Sequence, residues 1–287
     1  MFGRRKEIVE VVERRPAPAL AEAGSQLLLR AAALRSDDEN IVVEERSVWR
    51  PDSWLMQNCW ESLADAGSAP EALAIAQLAS PRQPVAVQEA LYRLARNSAG
   101  KPNLLRVIEH TLGEQSNILL ANTFDDEIST NLDLSKPYTF DRDALPHLPH
   151  QLLYCGATAA HIGNNGLALG YLERLDQTDR AWERIVAAPE MRSVLAETLV
   201  RIGPSLLVLA LIDQSLRRFG DGGAELLMRI SEQIDPAISV DDHDNKQARL
   251  LRHCVDCFRY GMLTTLQSQR VATAVFARAG KWDEVIQ

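Results

Sequence analysis

The residues best suited to chemistry are His253, Cys254 and Cys257, in the run HCVDC. Two cysteines three apart on a helix present their thiols on one side, where a zinc ion can take both. Tetrahedral zinc then needs two more ligands. His147 and His150, in HLPH, and Cys155 shortly after could supply them. No second Cys-x-x-Cys is present, and Cys254 and Cys257 fall within an apolar helical run, where a thiol acts as a small hydrophobic group. The expectation is two buried structural thiols and no metal ligand. The alternative is a small helical metal-binding domain or metal-dependent enzyme built on His253, Cys254 and Cys257. The acidic run DDHDN, Asp241 to Asn245, also carries metal-friendly side chains. A metal-dependent hydrolase would need further partners at set helical positions, and His110 and His161 form no such pattern. The aspartates are expected in a solvated loop, capping the helix that follows.

Other catalytic signals are absent. The run SAGKP, Ser98 to Pro102, lacks the phosphate-loop frame, and GNNGLALG from Gly163 lacks both its lysine and a preceding strand. No Gly-x-Ser-x-Gly elbow occurs. Neither a catalytic residue, a cofactor-binding residue nor a cofactor is expected. Three tryptophans, Trp49, Trp54 and Trp60, cluster within twelve residues. Tryptophan and arginine are typical of binding hot spots, and Trp49-Arg50 sits near a helix start, while Trp54 and Trp60 are expected in the core.

The elements that would position these residues are helices. The chain has 287 residues, 46% hydrophobic and 24% charged, ordinary values for a folded protein with a sizeable core. Aromatic residues are only 6%, so leucine and alanine carry the apolar load, which suits helices. The net charge of −8 and the lack of a long basic stripe argue against a nucleic-acid partner. The run Gly3 to Lys6 is basic but lies beside Glu7, Glu10 and Glu13, as on a solvated helix face. No secretory signal is evident, the longest apolar run, Ser205 to Ile212, is too short for a membrane span, and four scattered cysteines do not make a disulfide framework. The expected location is the cytoplasm, with no membrane contact.

Four segments follow along the chain. Residues 1–48 read as an N-terminal helical cap. Residues 49–119 read as paired helices punctuated by Gly67, Pro81, Pro84 and Gly100. Residues 120–148 form an irregular acidic insertion, either a surface loop or an arm lying along the helices. Residues 149–287 resume the helices. There Met191, Val194, Leu195, Leu199 and Ile202 make one apolar stripe at helical spacing, and the run after Gly203 is apolar nearly all round. No strand ladder is evident.

One spacing recurs: a glycine, then a small or β-branched residue five positions on. It reads GSAPEA from Gly67 to Ala72, GNNGLA from Gly163 to Ala168, GPSLLV from Gly203 to Val208 and GKWDEV from Gly280 to Val285. Glycine permits the left-handed turn between two helices, and a small residue lets them approach closely. The unit around Leu63, Gly67, Ala72, Ala76, Ala79 and Pro84 resembles a tetratricopeptide repeat. So do Gly156, Ala159, Gly163 and Ala168, and at the C-terminus Phe276, Gly280, Trp282 and Ile286. The 34-residue period of that family is not kept, and Val208 stands where alanine is expected. A looser HEAT-type repeat fits nearly as well.

The resemblance implies an all-α fold, a right-handed stack of helix-turn-helix hairpins forming an α-solenoid. It also implies a non-catalytic role: a scaffold or adaptor that binds a protein or peptide partner on its surface, or a sensor arm of a larger signalling protein. The last unit stops after barely one turn of its second helix, which fits a chain that belongs to a longer protein or a multi-protein complex.

Overall fold

The computed structural model describes residues 53–80, 83–120, 147–178, 180–261 and 265–280. The expected cap over 1–48, nearly all of the 120–148 insertion, Trp49 and the final turn with Trp282 and Ile286 lie outside them. The described residues form an all-α protein with no strand. There are twelve helices among them: α1 (Ser53–Asp65), α2 (Ala69–Ala79), α3 (Ala86–Arg96), α4 (Pro102–Leu119), α5 (Leu148–His161), α6 (Asn165–Gln177), α7 (Ala181–Ala187), α8 (Pro189–Ile202), α9 (Leu206–Phe219), α10 (Asp221–Gln233), α11 (Lys246–Tyr260) and α12 (Leu266–Arg278). None is long and apolar enough to cross a membrane.

The helix starts follow local chemistry. Prolines open α2, α4, α5 and α8, where the missing N–H costs nothing. Side-chain caps open four others: Asn164 accepts from Leu167 N, Ser205 from Val208 N, Asn245 from Gln247 N and Ala248 N, and Thr265 forms a capping box with Ser268. The cap of α11 is thus Asn245 and not an aspartate. Asp242 instead accepts from Asp244 N and Asn245 N inside the loop. Helix α4 runs through Gly113, and α11 stops at Tyr260, before Gly261.

All four glycines of the recurring spacing hold positive φ, between 71° and 84°. Two of them make the same turn. At Gly67 the N–H groups of Gly67 and Ser68 donate to the carbonyls of Ala64 and Leu63. At Gly163 those of Gly163 and Asn164 donate to Ala160 and Ala159. This paired reversal folds α2 onto α1 and α6 onto α5. Close approach follows: a Cβ on Gly156 would sit 3.2 Å from Tyr171 Cβ, and Ala72 and Ala168 are fully buried. Gly203 differs. Its ψ of −175° carries the chain onward, and α8 and α9 share no substantial contact. Val208, five positions after Gly203, is fully buried. Helix α9 packs on α10 instead, so tightly that a Cβ on Gly223 would meet the Ser215 carbonyl oxygen and lie 2.8 Å from Leu216 Cα.

Packing proceeds in chain order. Helices α1, α3, α5, α8, α10 and α12 each pack on the next, and the remaining helices flank this series. The apolar interior comes in two clusters, one from Cys59 to Ile108 across α1–α4 and one from Tyr92 to Ala279. Helices α3 and α4 give residues to both, and Ile162 touches each. The stripe Met191, Val194, Leu195, Leu199 and Ile202 is buried as its spacing dictates. Trp60 and Trp182 are core residues; the Trp182 indole N–H donates to Ser215 Oγ at 3.0 Å. The α9 run is less enclosed than its composition suggested: Val208, Leu211, Ile212 and Leu216 are buried, but Leu206 is 89% exposed.

Candidate functional site

The helix series α1-α3-α5-α8-α10-α12 carries a seam of polar side chains joining each helix to its neighbours. Arg93 on α3 reaches Glu61 and Asp65 of α1 at 3.4 and 3.3 Å and Glu89 of its own helix at 3.2 Å. Burial is the main cause raising the Glu89 carboxyl above its usual range, and Arg93 opposes it.

Glu197 on α8 is the centre of the seam. Its Oε2 accepts from the Tyr92 hydroxyl of α3 at 2.6 Å. Its Oε1 lies 3.0 Å from His161 Nε2 of α5, in ion-pair range although the ring N–H is poorly aimed at it. Arg201 and Arg96 approach the same oxygen at 3.7 and 3.9 Å. The His161 side chain is only 3% exposed and Glu197 20%. Burial pushes the Glu197 carboxyl up, but the close His161 ring, the Tyr92 hydrogen bond and the neighbouring positive charge outweigh it and hold it at about 2. The Tyr92 hydroxyl is pushed up by burial and by the carboxylate it serves. Tyr92 also lies 5.6 Å from both the Tyr154 and His161 rings. Further on, Arg192 of α8 pairs with Glu225 of α10 at 2.5 Å, Gln267 of α12 donates to Glu225 at 3.4 Å, and the Thr265 hydroxyl donates to Asp221.

A second cluster lies between α9 and α11. Cys257 Sγ donates to Asp213 Oδ1 at 3.0 Å, and His253 Nε2 lies 3.4 Å from the same oxygen and 3.1 Å from the Leu209 carbonyl oxygen. The three side chains border a cavity of about 250 Å3, also lined by Leu216, Arg217, Asp256, Tyr260 and Gly261. Burial and the facing Asp213 carboxylate push the Cys257 thiol far up.

The sequence-level grouping of His253, Cys254 and Cys257 is only partly realised. His253 and Cys257, one turn apart on α11, meet Asp213; Cys254 points into the core, fully buried, with its thiol pushed up to about 12 by that burial. His147, His150 and Cys155 join no metal-competent group among the described residues. Cys155 is buried, its thiol also pushed up to about 12. His110 pairs with Glu114 in the open at 3.8 Å, and His243 Nδ1 meets Arg252 at 3.0 Å. Sequence reasoning missed Asp213 and Glu197. Asp213 had a signal, since it is the one acid interrupting the apolar run from Ser205 to Leu216. Glu197 had none, because an acid on an amphipathic helix ordinarily faces water.

No family model matches the chain, and no curated protein or solved structure matches it either.

Proposed function

We propose that this protein is a non-catalytic interaction scaffold: a solenoid-like stack of helices, resembling tetratricopeptide or HEAT-type repeats, that binds a protein or peptide in the cytoplasm. The observation that carries this reading is the packing order. Six helices, α1, α3, α5, α8, α10 and α12, each contact the next in chain order, as in architectures whose units touch only their neighbours. Such a row offers side chains from successive helices to an extended ligand. Here the row carries the polar seam centred on Glu197, with Arg96 and Arg201 more than a third exposed at its edge. Shape and rows of polar groups, rather than a reactive centre, would set specificity on such a face.

The test is affinity capture from source-cell lysate with the full chain as bait, run beside the double variant Arg96→Gln/Arg201→Gln. Circular dichroism establishes that the variant is folded. The reading expects a small set of proteins retained at moderate salt by the parent chain and lost from the variant. Equal retention by both chains would place binding elsewhere and remove the seam from consideration.

A further inference from the structure

We infer that Asp213, His253 and Cys257 form a zinc site with one open coordination position facing the α9–α11 cavity. The inference is independent of the scaffold reading. The three ligand atoms, a carboxylate oxygen, Nε2 and Sγ, lie within 4.8 Å of one another. Zinc bonds of about 2.0–2.3 Å in tetrahedral geometry place ligand atoms roughly 3.4–3.6 Å apart. The Nε2 to Oδ1 separation of 3.4 Å matches that spacing, and the Sγ to Oδ1 separation of 3.0 Å needs to widen by about 0.5 Å to admit the ion. His253 and Cys257 are four apart on one helix and so lie on one face, while Asp213 comes from the helix packed against it.

Charge and softness select the ion. A thiolate and a carboxylate at 3.0 Å cannot both stay ionised without a cation between them. A divalent ion with one thiolate, one carboxylate and one neutral imidazole makes a neutral centre. Sulfur with nitrogen favours zinc over magnesium or calcium, which take oxygen ligands. Binding displaces one proton: the Cys257 S–H proton leaves to solvent. The proton on His253 Nε2, which can otherwise donate to the Leu209 carbonyl, moves to Nδ1, so the ring stays neutral and Nε2 faces the ion. Three protein ligands leave the fourth position to the cavity, which has room for a water molecule. That is the pattern of zinc sites with an exchangeable ligand, not of closed structural ones.

Cobalt(II) reports the site directly. The full chain, stripped with chelator under reducing conditions, is titrated with CoCl2 and then with ZnCl2. One equivalent should produce a thiolate-to-cobalt charge-transfer band and the intense visible bands of tetrahedral cobalt, and zinc should bleach both. Cys257→Ser should abolish the charge-transfer band. Asp213→Asn and His253→Gln should each weaken binding by roughly 100-fold or more, since even residues outside the ligand set cost 10- to 100-fold. Cys254→Ser should leave the bands intact; if that variant does not fold, Cys155→Ser takes its place. No cobalt bands in the parent chain, bands that survive Cys257→Ser, or bands lost in a folded Cys254→Ser or Cys155→Ser variant would overturn the assignment.

Discussion

Glu197 should make this protein acid-sensitive in a way that one substitution removes. Its carboxyl titrates near 2 when folded, against an ordinary 4.5 when the chain is open. A depressed carboxyl contributes stability that is fully present above the unfolded value and is lost as pH falls through the folded one. The difference of about 2.5 pH units corresponds to roughly 3 kcal/mol at neutral pH, at 1.36 kcal/mol per unit. Linkage places about 2 kcal/mol of that loss between pH 6 and pH 3. The side chain is four-fifths buried, so solvent screening reduces this only modestly. The assay is urea unfolding of the parent chain and Glu197→Gln at several pH values across that range. The variant should be less stable than the parent at pH 6, and the gap should narrow by about 2 kcal/mol by pH 3, because the parent alone loses the Glu197 contribution. Taking the difference cancels every other carboxyl, including Glu89, whose shift has the opposite sign. A gap that stays constant from pH 6 to pH 3 would refute the argument, since it would mean that Glu197 is not held ionised by His161, Tyr92 and the arginines.

Four further substitutions test the packing and one helix cap. Gly223→Ala should destabilise by roughly 3 kcal/mol or more, at the top of the overpacking range, because its Cβ meets backbone of α9 that cannot swing aside; thermal unfolding reads this as a lower Tm. Ala168→Leu should cost about 1–3 kcal/mol, since Ala168 is fully buried where α6 crosses α5 at Gly156; a change of a few tenths in denaturant unfolding would show that the crossing is looser. Asn245→Ala should cost about 1 kcal/mol by leaving the Gln247 and Ala248 N–H groups without their cap, whereas Asp242→Ala, which leaves those bonds intact, should not unwind the first turn of α11 by amide exchange.

Helices were legible because their signals are local. Gly67 and Gly163 announce the same turn, and the stripe from Met191 to Ile202 names its own buried face. Pairing of helices was less legible. Gly203 shares the spacing of the other two glycines, yet its ψ extends the chain instead of reversing it. Pro204 after it favours that extended ψ and lacks the N–H that Ser68 and Asn164 give to the reversal, a signal that the glycine spacing alone passes over. The side-chain clusters were least legible. Asp213 meets Cys257 across 44 positions and Tyr92 meets Glu197 across 105, separations set by which helices pack together. Grouping His253 with Cys254 followed sequence adjacency, but on a helix the neighbour of His253 is the residue one turn on, Cys257.

Among the described residues, every substantial helix–helix contact joins elements no more than three apart in chain order. Among the described helices no substantial contact joins α1 to α12, so most contacts close a modest stretch of chain, the 105-position link from Tyr92 to Glu197 being a long one, and the entropy of closure grows slowly with length. Folding can start at any well-packed hairpin and spread in both directions. The same arrangement lets α1 and α12 open without disturbing the middle, while α3, α5 and α8, tied together at Glu197, open last. The described helices are therefore softest at α1 and α12 and most persistent where one carboxylate holds three of them.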